Sequence, residues 1–309
     1  MTESRHPRPA NRAGTEPTRP STSQASSTVA GQGASPAGRG ASGTGKGGKS
    51  NAKGGASKPA ASTSPARPKP EPASTPARKR LPGAALDVVG LSKSYGELVA
   101  LAPLDLVVKK GEAVVLLGHN GSGKTTLLRM LAGLLDPSEG DAMVLGQAAG
   151  SLPSRSAISY LADTPTFYDD LSVWEHLEYV ARMHGRGSGD DDWAQDAADL
   201  LGALGLYDRA DDLPARFSRG LRQKAAIALA FIRPFEVLLV DEPFVGLDAA
   251  GKAALLELFD GAREHGRTLL VATHELSFVE RSARCIALRD GVLAYDGPTA
   301  GIDALALVS

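Results

Sequence analysis

The chain has 309 residues, with 34 Lys and Arg against 35 Asp and Glu, 5% aromatic side chains and a single Cys. The lone Cys285 excludes a disulfide scaffold, and the longest charge-free apolar run, Ala225 to Ile232, is far short of the roughly 20 residues of a membrane-spanning helix. The net charge of −1 conceals a division, because residues 1–83 carry 14 basic and 3 acidic side chains while residues 84–309 carry 20 and 32.

Residues 1–83 hold Met1, Val29 and Leu81 as their only larger apolar side chains, too little buried surface to offset chain entropy, so a disordered basic Ala/Ser/Gly/Pro-rich tail is expected there. Three roles compete for it. It is a solvated tail, or a weak contact for anionic lipid at about 1 kcal/mol per basic residue near such a surface, or a nucleic-acid arm. The lack of any aromatic stacking residue speaks against the last. The segment Gly43 to Ser50 satisfies the phosphate-loop pattern GxxxxGK followed by Ser or Thr, yet Gly/Ser-rich residues flank it on both sides. That chemistry needs a buried strand before the loop and a helix after it, so this match is assigned to chance. The start of the chain lacks the apolar stretch of a secretory signal, and one Cys suits a reducing compartment.

From residue 84 onward a folded domain of α/β class is expected, with its boundary at Pro82-Gly83. Strands are predicted near Leu86–Leu91 and Leu104–Val108, then a buried strand over Ala113–Leu117. The phosphate-loop pattern recurs directly after it, as Gly118-His119-Asn120-Gly121-Ser122-Gly123-Lys124-Thr125, followed by Thr126 and a helical face of Leu127, Leu128 and Leu131. Here the context fits. Backbone N–H groups can wrap an anion, Lys124 reaches the β- and γ-phosphates, and the Thr125 hydroxyl faces Mg²⁺. A further strand is predicted near Asp141–Leu145. Val173, Leu177, Val180 and His184 share one helical face, Ala197, Leu200, Leu201 and Leu204 another, with a polar turn over 185–192. Trp174 reads as core or groove packing.

A phosphate loop by itself does not separate kinases, GTPases, helicases and transport ATPases. The later strands arbitrate. Val237–Val240 is a buried run ending in Asp241-Glu242, which offers one carboxylate to a Mg²⁺ shell and the next to an attacking water, although a lone acidic pair at a strand end is commonly just solvated. Leu269–Ala272 leads into Thr273-His274-Glu275 and aims His274 at the crevice where open α/β sheets bind ligands.

Together with Leu91–Gly96, Phe217-Ser218-Arg219-Gly220-Leu221-Arg222-Gln223 and Phe244–Asp248, this ordered set resembles the ATP-binding-cassette (ABC) ATPases over nearly all of residues 84–309. The resemblance implies a phosphate-loop NTPase core, a parallel sheet flanked by helices, with a small antiparallel β subdomain and an α-helical subdomain at about 165–220. It implies ATP and Mg²⁺ as ligand and cofactor, Tyr95 stacked on adenine, and Glu242 and His274 as the catalytic pair. A Tyr packed in the antiparallel sheet is the alternative for Tyr95. Ser218, Arg219 and Gly220 stand where the family's LSGGQ signature contacts the ATP of a second subunit, and Asp248 stands where the two sites communicate. The family's usual Gln is Asp163 here, in Ile158–Pro165, either a shorter-armed contact to Mg²⁺ beside Thr125 and Asp241 or a plain loop residue. FSRGL in place of LSGGQ leaves the direction of the Arg219 side chain open.

The resemblance further implies a homodimer or heterodimer with a second ABC ATPase subunit. Because the chain has no spanning run, transport also implies separate membrane permease subunits. The expected location is then cytoplasmic, peripheral on the inner face of the membrane. The stretch Tyr168–Leu177 and the FSRGL signature resemble single-cassette export subunits of the multidrug and haem types. The second class of function is a soluble cassette acting on ribosomes, nucleic acid or a protein complex. A single cassette without Cys pairs or a long insertion points away from it.

Overall fold

A computed structural model of the chain describes residues 80–187 and 192–303. The tail through residue 79, with the chance loop Gly43–Ser50, lies outside the described residues, as do 188–191 and 304–309.

Two long strands open the fold. β1 (Ala84–Tyr95) and β2 (Leu98–Lys109) pair antiparallel around a two-residue turn, and β4 (Glu139–Val144) adds to the other edge of β1, followed by the short β5 (Gln147–Ala148). The resulting four-stranded sheet, in the order β2-β1-β4-β5, is the small antiparallel sheet anticipated, but β1 runs beyond Leu91 to Tyr95 through several register shifts. Arg80 and Leu81 are already tied to it. The Arg80 guanidinium donates to the Asp87 carbonyl and pairs with Asp141, and the Leu81 N–H donates to the Asp87 carboxylate at 2.8 Å.

The second sheet has six strands. β3 (Ala113–Leu117), β6 (Ile158–Leu161), β7 (Val237–Asp241), β8 (Thr268–Ala272) and β9 (Arg284–Arg289) are parallel, and β10 (Val292–Pro298) closes one edge antiparallel, giving the order β10-β9-β3-β8-β7-β6. β3, β7 and β8 are buried on both faces, which is why each reads as a continuous apolar run rather than an alternating one. Alternate residues face opposite cores. Val115, Leu117, Leu238, Val240, Leu269 and Val271 join the core formed with the helices that follow β6, whereas Val114, Leu116, Val237, Leu239 and Leu270 join α1 (Lys124–Leu131) and the antiparallel sheet.

After β5 comes α2 (Leu152–Ala157), and the elements between β6 and β7 among the described residues are all helices, joined by loops. α3 (Val173–Met183) and α4 (Trp193–Ala203) pack on each other and on α5 (Arg219–Ile232), with single 3-10 turns at Tyr207–Arg209 and Pro214–Arg216. His184 and Leu204 cap α3 and α4 instead of extending them. Trp174 is buried and leans on Trp193, ring centroids 5.6 Å apart. α6 (Ala249–Glu264) and α7 (Leu276–Arg281) complete the helices. No helix among the described residues is long and apolar enough to cross a membrane.

The start of α3 is fixed by a reciprocal cap. The Ser172 hydroxyl accepts from the Glu175 N–H at 3.2 Å while the Glu175 carboxylate accepts from the Ser172 N–H at 2.8 Å. His176, buried one turn on, accepts from the Tyr168 N–H through Nε2 at 2.9 Å and so ties the preceding loop to the helix. Ser172→Ala is expected to lower stability by about 1 kcal/mol, read as a fall of a few degrees in thermal unfolding, with nucleotide affinity unchanged.

Candidate functional site

The parallel register brings the C-terminal ends of β3, β6, β7 and β8 to one edge, and the sequence places a polar residue just past each. The loop after β3 curls back over its own strand end. Lys124, buried at the first position of α1, donates to the Gly118 carbonyl at 2.7 Å and the His119 carbonyl at 3.2 Å, so its ammonium sits under the loop. Gly123 caps α1 with φ of 101° and no side-chain cap, leaving the first N–H groups of the helix directed at the loop's concave side. The hairpin turn between β9 and β10 supports the loop from behind. The Gly291 N–H donates to the Ser122 carbonyl at 3.2 Å, and His119 Nε2 is 3.2 Å from the Asp290 carboxylate.

These elements bound a cavity of about 350 Å³, walled by the phosphate loop from Asn120 to Thr126, Ala100 of β2, Asp163, and the pair Asp241 and Glu242. The Thr125 hydroxyl donates to Asp241 at 2.6 Å. The other oxygen of Asp241, Oδ1, is buried and has no hydrogen-bond partner, and burial raises the carboxyl's pKa against the pull of Thr125. Glu242 follows with φ of 45°, a left-handed backbone that costs a non-glycine residue about 1–3 kcal/mol and is held by its N–H donating to the Ala272 carbonyl at 2.8 Å. That turn carries its carboxylate to 3.8 Å from Lys124 Nζ and 3.1 Å from His274 Nδ1. Burial pushes the Glu242 pKa up, while His274 and Lys124 oppose the shift.

Most of the residues anticipated from sequence therefore meet. Asn120, Gly121, Ser122, Gly123, Lys124, Thr125, Thr126, Asp163, Asp241 and Glu242 face one cavity, Gly118 and His119 shape it from behind, and His274 joins through Glu242. Tyr95 does not line it. Its ring is 53% exposed at the end of β1, with Lys93 Nζ 5.3 Å from its centroid. Ser218, Arg219 and Gly220 also lie off the cavity wall. Ser218 caps α5 by accepting from the Leu221 N–H, and Gly220 lies so close to Gly246 that an added Cβ would fall 2.4 Å from the Gly246 carbonyl. The alkyl chain of Arg219 lies beside Gly246 too. Asp248 caps α6 by accepting from the Gly251 N–H at 3.1 Å and pairs with Lys224 of α5 at 2.9 Å, contacts that hold its pKa low. Lys224, Ala100 and the Lys252–Glu275 pair at 2.5 Å carried no signal in the sequence. Their relevance comes from long-range packing.

The profile of the ABC transporter family matches residues 101–245. The SkfA peptide export ATP-binding protein SkfE of Bacillus subtilis is 34% identical over 212 residues, covering 68% of this chain and 88% of that protein. The chain belongs to the ABC transporter family. The aliphatic sulfonates import ATP-binding protein SsuB 2 of Pseudomonas aeruginosa is 37% identical over 220 residues, 70% of this chain and 76% of its own. Among solved structures, the ATP-binding subunit of an ABC transporter aligns with a TM-score of 0.65 at 32% identity, covering 69% of this chain and 90% of that one. The dimeric cassette MJ0796 aligns with a TM-score of 0.64 at 26% identity, covering 70% and 100%, and the same scores are found for its post-hydrolysis dimer bound to ADP and Pi. This ABC protein is accordingly an ATP-binding, ATP-hydrolysing transporter subunit.

Gly123→Ala tests the cradle of this cassette. An added Cβ would fall 2.8 Å from the Ala100 carbonyl at a positive φ. The variant is expected to weaken ATP binding by at least about tenfold, equivalent to about 1.4 kcal/mol, when titrated by isothermal calorimetry.

Proposed function

We propose that this chain powers a separate membrane permease from its cytoplasmic side, with Glu242 as general base and export as the direction of transport. The observation that carries the chemical reading is the position of the Glu242 carboxylate between Lys124 Nζ and His274 Nδ1, at 3.8 and 3.1 Å. Lys124 and the loop N–H groups hold the β- and γ-phosphates. A water in line with the γ-phosphorus gives its proton to Glu242 as its oxygen bonds to phosphorus, and the bond to the bridging oxygen breaks, releasing ADP and inorganic phosphate. Burial keeps Glu242 more basic than an exposed carboxylate, which favours proton acceptance. His274 orients the water and the terminal phosphate.

The donor set fits Mg²⁺. Thr125 Oγ1, the unpartnered Asp241 Oδ1 and Asp163 on the same wall are hard oxygen ligands. When bound, Mg²⁺ would neutralise charge developing on the phosphates.

Ser218, Arg219 and Gly220 lie off the cavity wall, as expected of groups that serve the ATP of a second subunit, whether an identical chain or another cassette. The dimeric solved cassette supports this arrangement. Head-to-tail pairing would then bring each Ser218 segment over the opposite phosphate loop, with Asp248 near the two-fold axis. Tyr95, exposed at the end of β1, is free to stack on adenine once nucleotide is bound. The permease docks in the groove between the Asp163 loop and the helices after β6. Export rests on the likeness of Tyr168–Leu177 and FSRGL to export subunits and is consistent with the name of the peptide-export relative. Uptake of a labelled substrate into inside-out vesicles, against right-side-out ones, tests the direction.

Glu242→Gln is expected to cut ATP turnover by at least about a hundredfold, at the lower end of what a general base contributes. It should retain ATP binding and trap a dimer visible by light scattering. Lys49→Ala, in the chance loop, should leave turnover at the wild-type value. Equal loss from both would overturn the assignment of the phosphate loops. A chain beginning at Arg80, which keeps the Arg80 contacts to Asp87 and Asp141, is expected to retain wild-type ATPase activity.

A further inference from the structure

One wall of the fold combines an open apolar groove with a half-buried cation that has no counter-ion among the described residues. The groove, of about 380 Å³, lies between the loop after β6, the end of α1, α3 and α5, and its walls include Leu134, Phe167, Val180, Leu229 and Ala230. Arg233, the residue that caps α5, forms part of the same wall. Its side chain donates to the Arg155 carbonyl at 2.9 Å, but its Nε is buried with no hydrogen-bond partner. Arg233 forms no ion pair among the described residues, and no Asp or Glu lines the groove, although residues 84–309 carry 32 acidic side chains against 20 basic ones. Burial is what acts on the guanidinium, and it acts against the charge. His184 and Tyr160 are the other titratable side chains on the groove wall; burial and then Arg233 lower the His184 pKa, while burial and then Asp241 raise that of Tyr160, so neither supplies a negative charge.

A guanidinium desolvated in this way is stabilised by a carboxylate that accepts from its planar fork. We infer that the groove receives a permease segment that carries an Asp or Glu onto Arg233, and that this ion pair selects the permease. Apolar residues of the segment fill the space between Phe167, Val180 and Leu229. The surface continues outward, because Tyr168, Tyr179 and Met183, neighbours in the chain of groove residues, are 55%, 43% and 66% exposed. Tyr168 and Tyr179 meet edge to face at 5.6 Å, and large exposed apolar side chains of this kind are typical of an interface. Position also matters. The loop from Thr164 to Phe167 on the groove wall follows directly on Asp163, which lines the nucleotide cavity, so a carboxylate seated on Arg233 is one short loop from the phosphates.

This inference rests on the permease-docking reading given above, and the test separates the two. A photo-cross-linking benzoylphenylalanine is placed at Leu134 of the full chain, expressed in its native cells, and the adduct is sequenced by mass spectrometry. The expected adduct is a cytosolic loop of a polytopic membrane protein that contains Asp or Glu. Its yield should fall at least about tenfold with Arg233→Glu, as for removal of one partner of a buried charge pair. The yield should be largely retained with Arg233→Lys and recovered when the loop carboxylate is exchanged for Arg in the Arg233→Glu background. Basal ATPase activity of purified Arg233→Gln should match wild type and reports that the fold is intact. If Arg233→Glu loses basal ATPase activity as well, Arg233→Gln and Ala in place of the loop carboxylate are read in its stead. A permease loop without a carboxylate, or a yield indifferent to Arg233, overturns the ion pair and leaves the docking reading standing. Adducts to soluble proteins alone, or none, overturn both.

Discussion

The parallel hydrogen-bond register of β3, β8, β7 and β6 is the constraint on which the site depends. Each strand ends within two residues of a polar side chain: His119 after Leu117, Asp241 and Glu242 after Val240, Thr273 and His274 after Ala272, and Asp163 after Leu161. A slip of one residue in any pair would exchange the two faces of the strand, moving apolar side chains between cores and turning the terminal carboxylate away from the phosphate loop. Burial on both faces forbids such a slip, because Val237–Val240 and Leu269–Ala272 are almost completely enclosed. The apolar sequence of the strands is thus what holds the chemistry in register.

Upon this frame the site stores two unfavourable features that packing sustains. Glu242 has a left-handed backbone, and the carboxyls of Asp241 and Glu242 are buried enough that their pKa values rise. Both conditions suit phosphoryl transfer. The strained turn projects one carboxylate beyond the strand, between Lys124 and His274, while its neighbour stays beneath, bonded to Thr125. Strain of this kind persists only where the surroundings over-determine it. Here the Glu242 N–H is anchored to the Ala272 carbonyl, and the buried Gln223 amide donates to the Pro243 carbonyl at 3.1 Å. Gln223 belongs to the helix that Ser218 caps, so the signature segment and the loop after Glu242 form one mechanical unit, reinforced by the pair Lys224–Asp248.

The helices between β6 and β7 give that unit an outer face. Ser159 of β6 donates to the Ala230 carbonyl of α5 at 2.7 Å, and Arg186 reaches the Ile232 carbonyl at 3.1 Å, so α5 is fixed both to the parallel sheet and to the end of α3. One end of α5 carries Ser218, the segment proposed to serve a second subunit, and the other ends at Arg233 in the apolar groove. A single rigid helix of 14 residues spans the two.

Much of this was legible in the residues themselves. The buried strands Ala113–Leu117, Val237–Val240 and Leu269–Ala272 stood out because a strand enclosed on both faces is an unbroken apolar run, and the phosphate loop stood out because its Gly spacing sits between such a run and a helix. The same reasoning assigns the match at Gly43–Ser50, outside the described residues, to chance. The C-terminal strands β9 and β10 did not announce themselves, since β10 alternates along a half-exposed edge and Arg284 and Arg289 bracket the apolar part of β9. Nor did α6, whose Ala- and Gly-containing sequence has a weak apolar face. Other features belong to the tertiary structure alone. The support of the loop by Asp290 and Gly291, the reach of Lys224 to Asp248 and the charge of Arg233, without an ion partner among the described residues, join residues that are distant in sequence or depend on what surrounds them. Local composition fixes which residues can bind phosphate, because that chemistry is carried by contiguous backbone. Which charges remain uncompensated is decided only when the chain packs, because desolvation is a property of the surroundings and not of the residue.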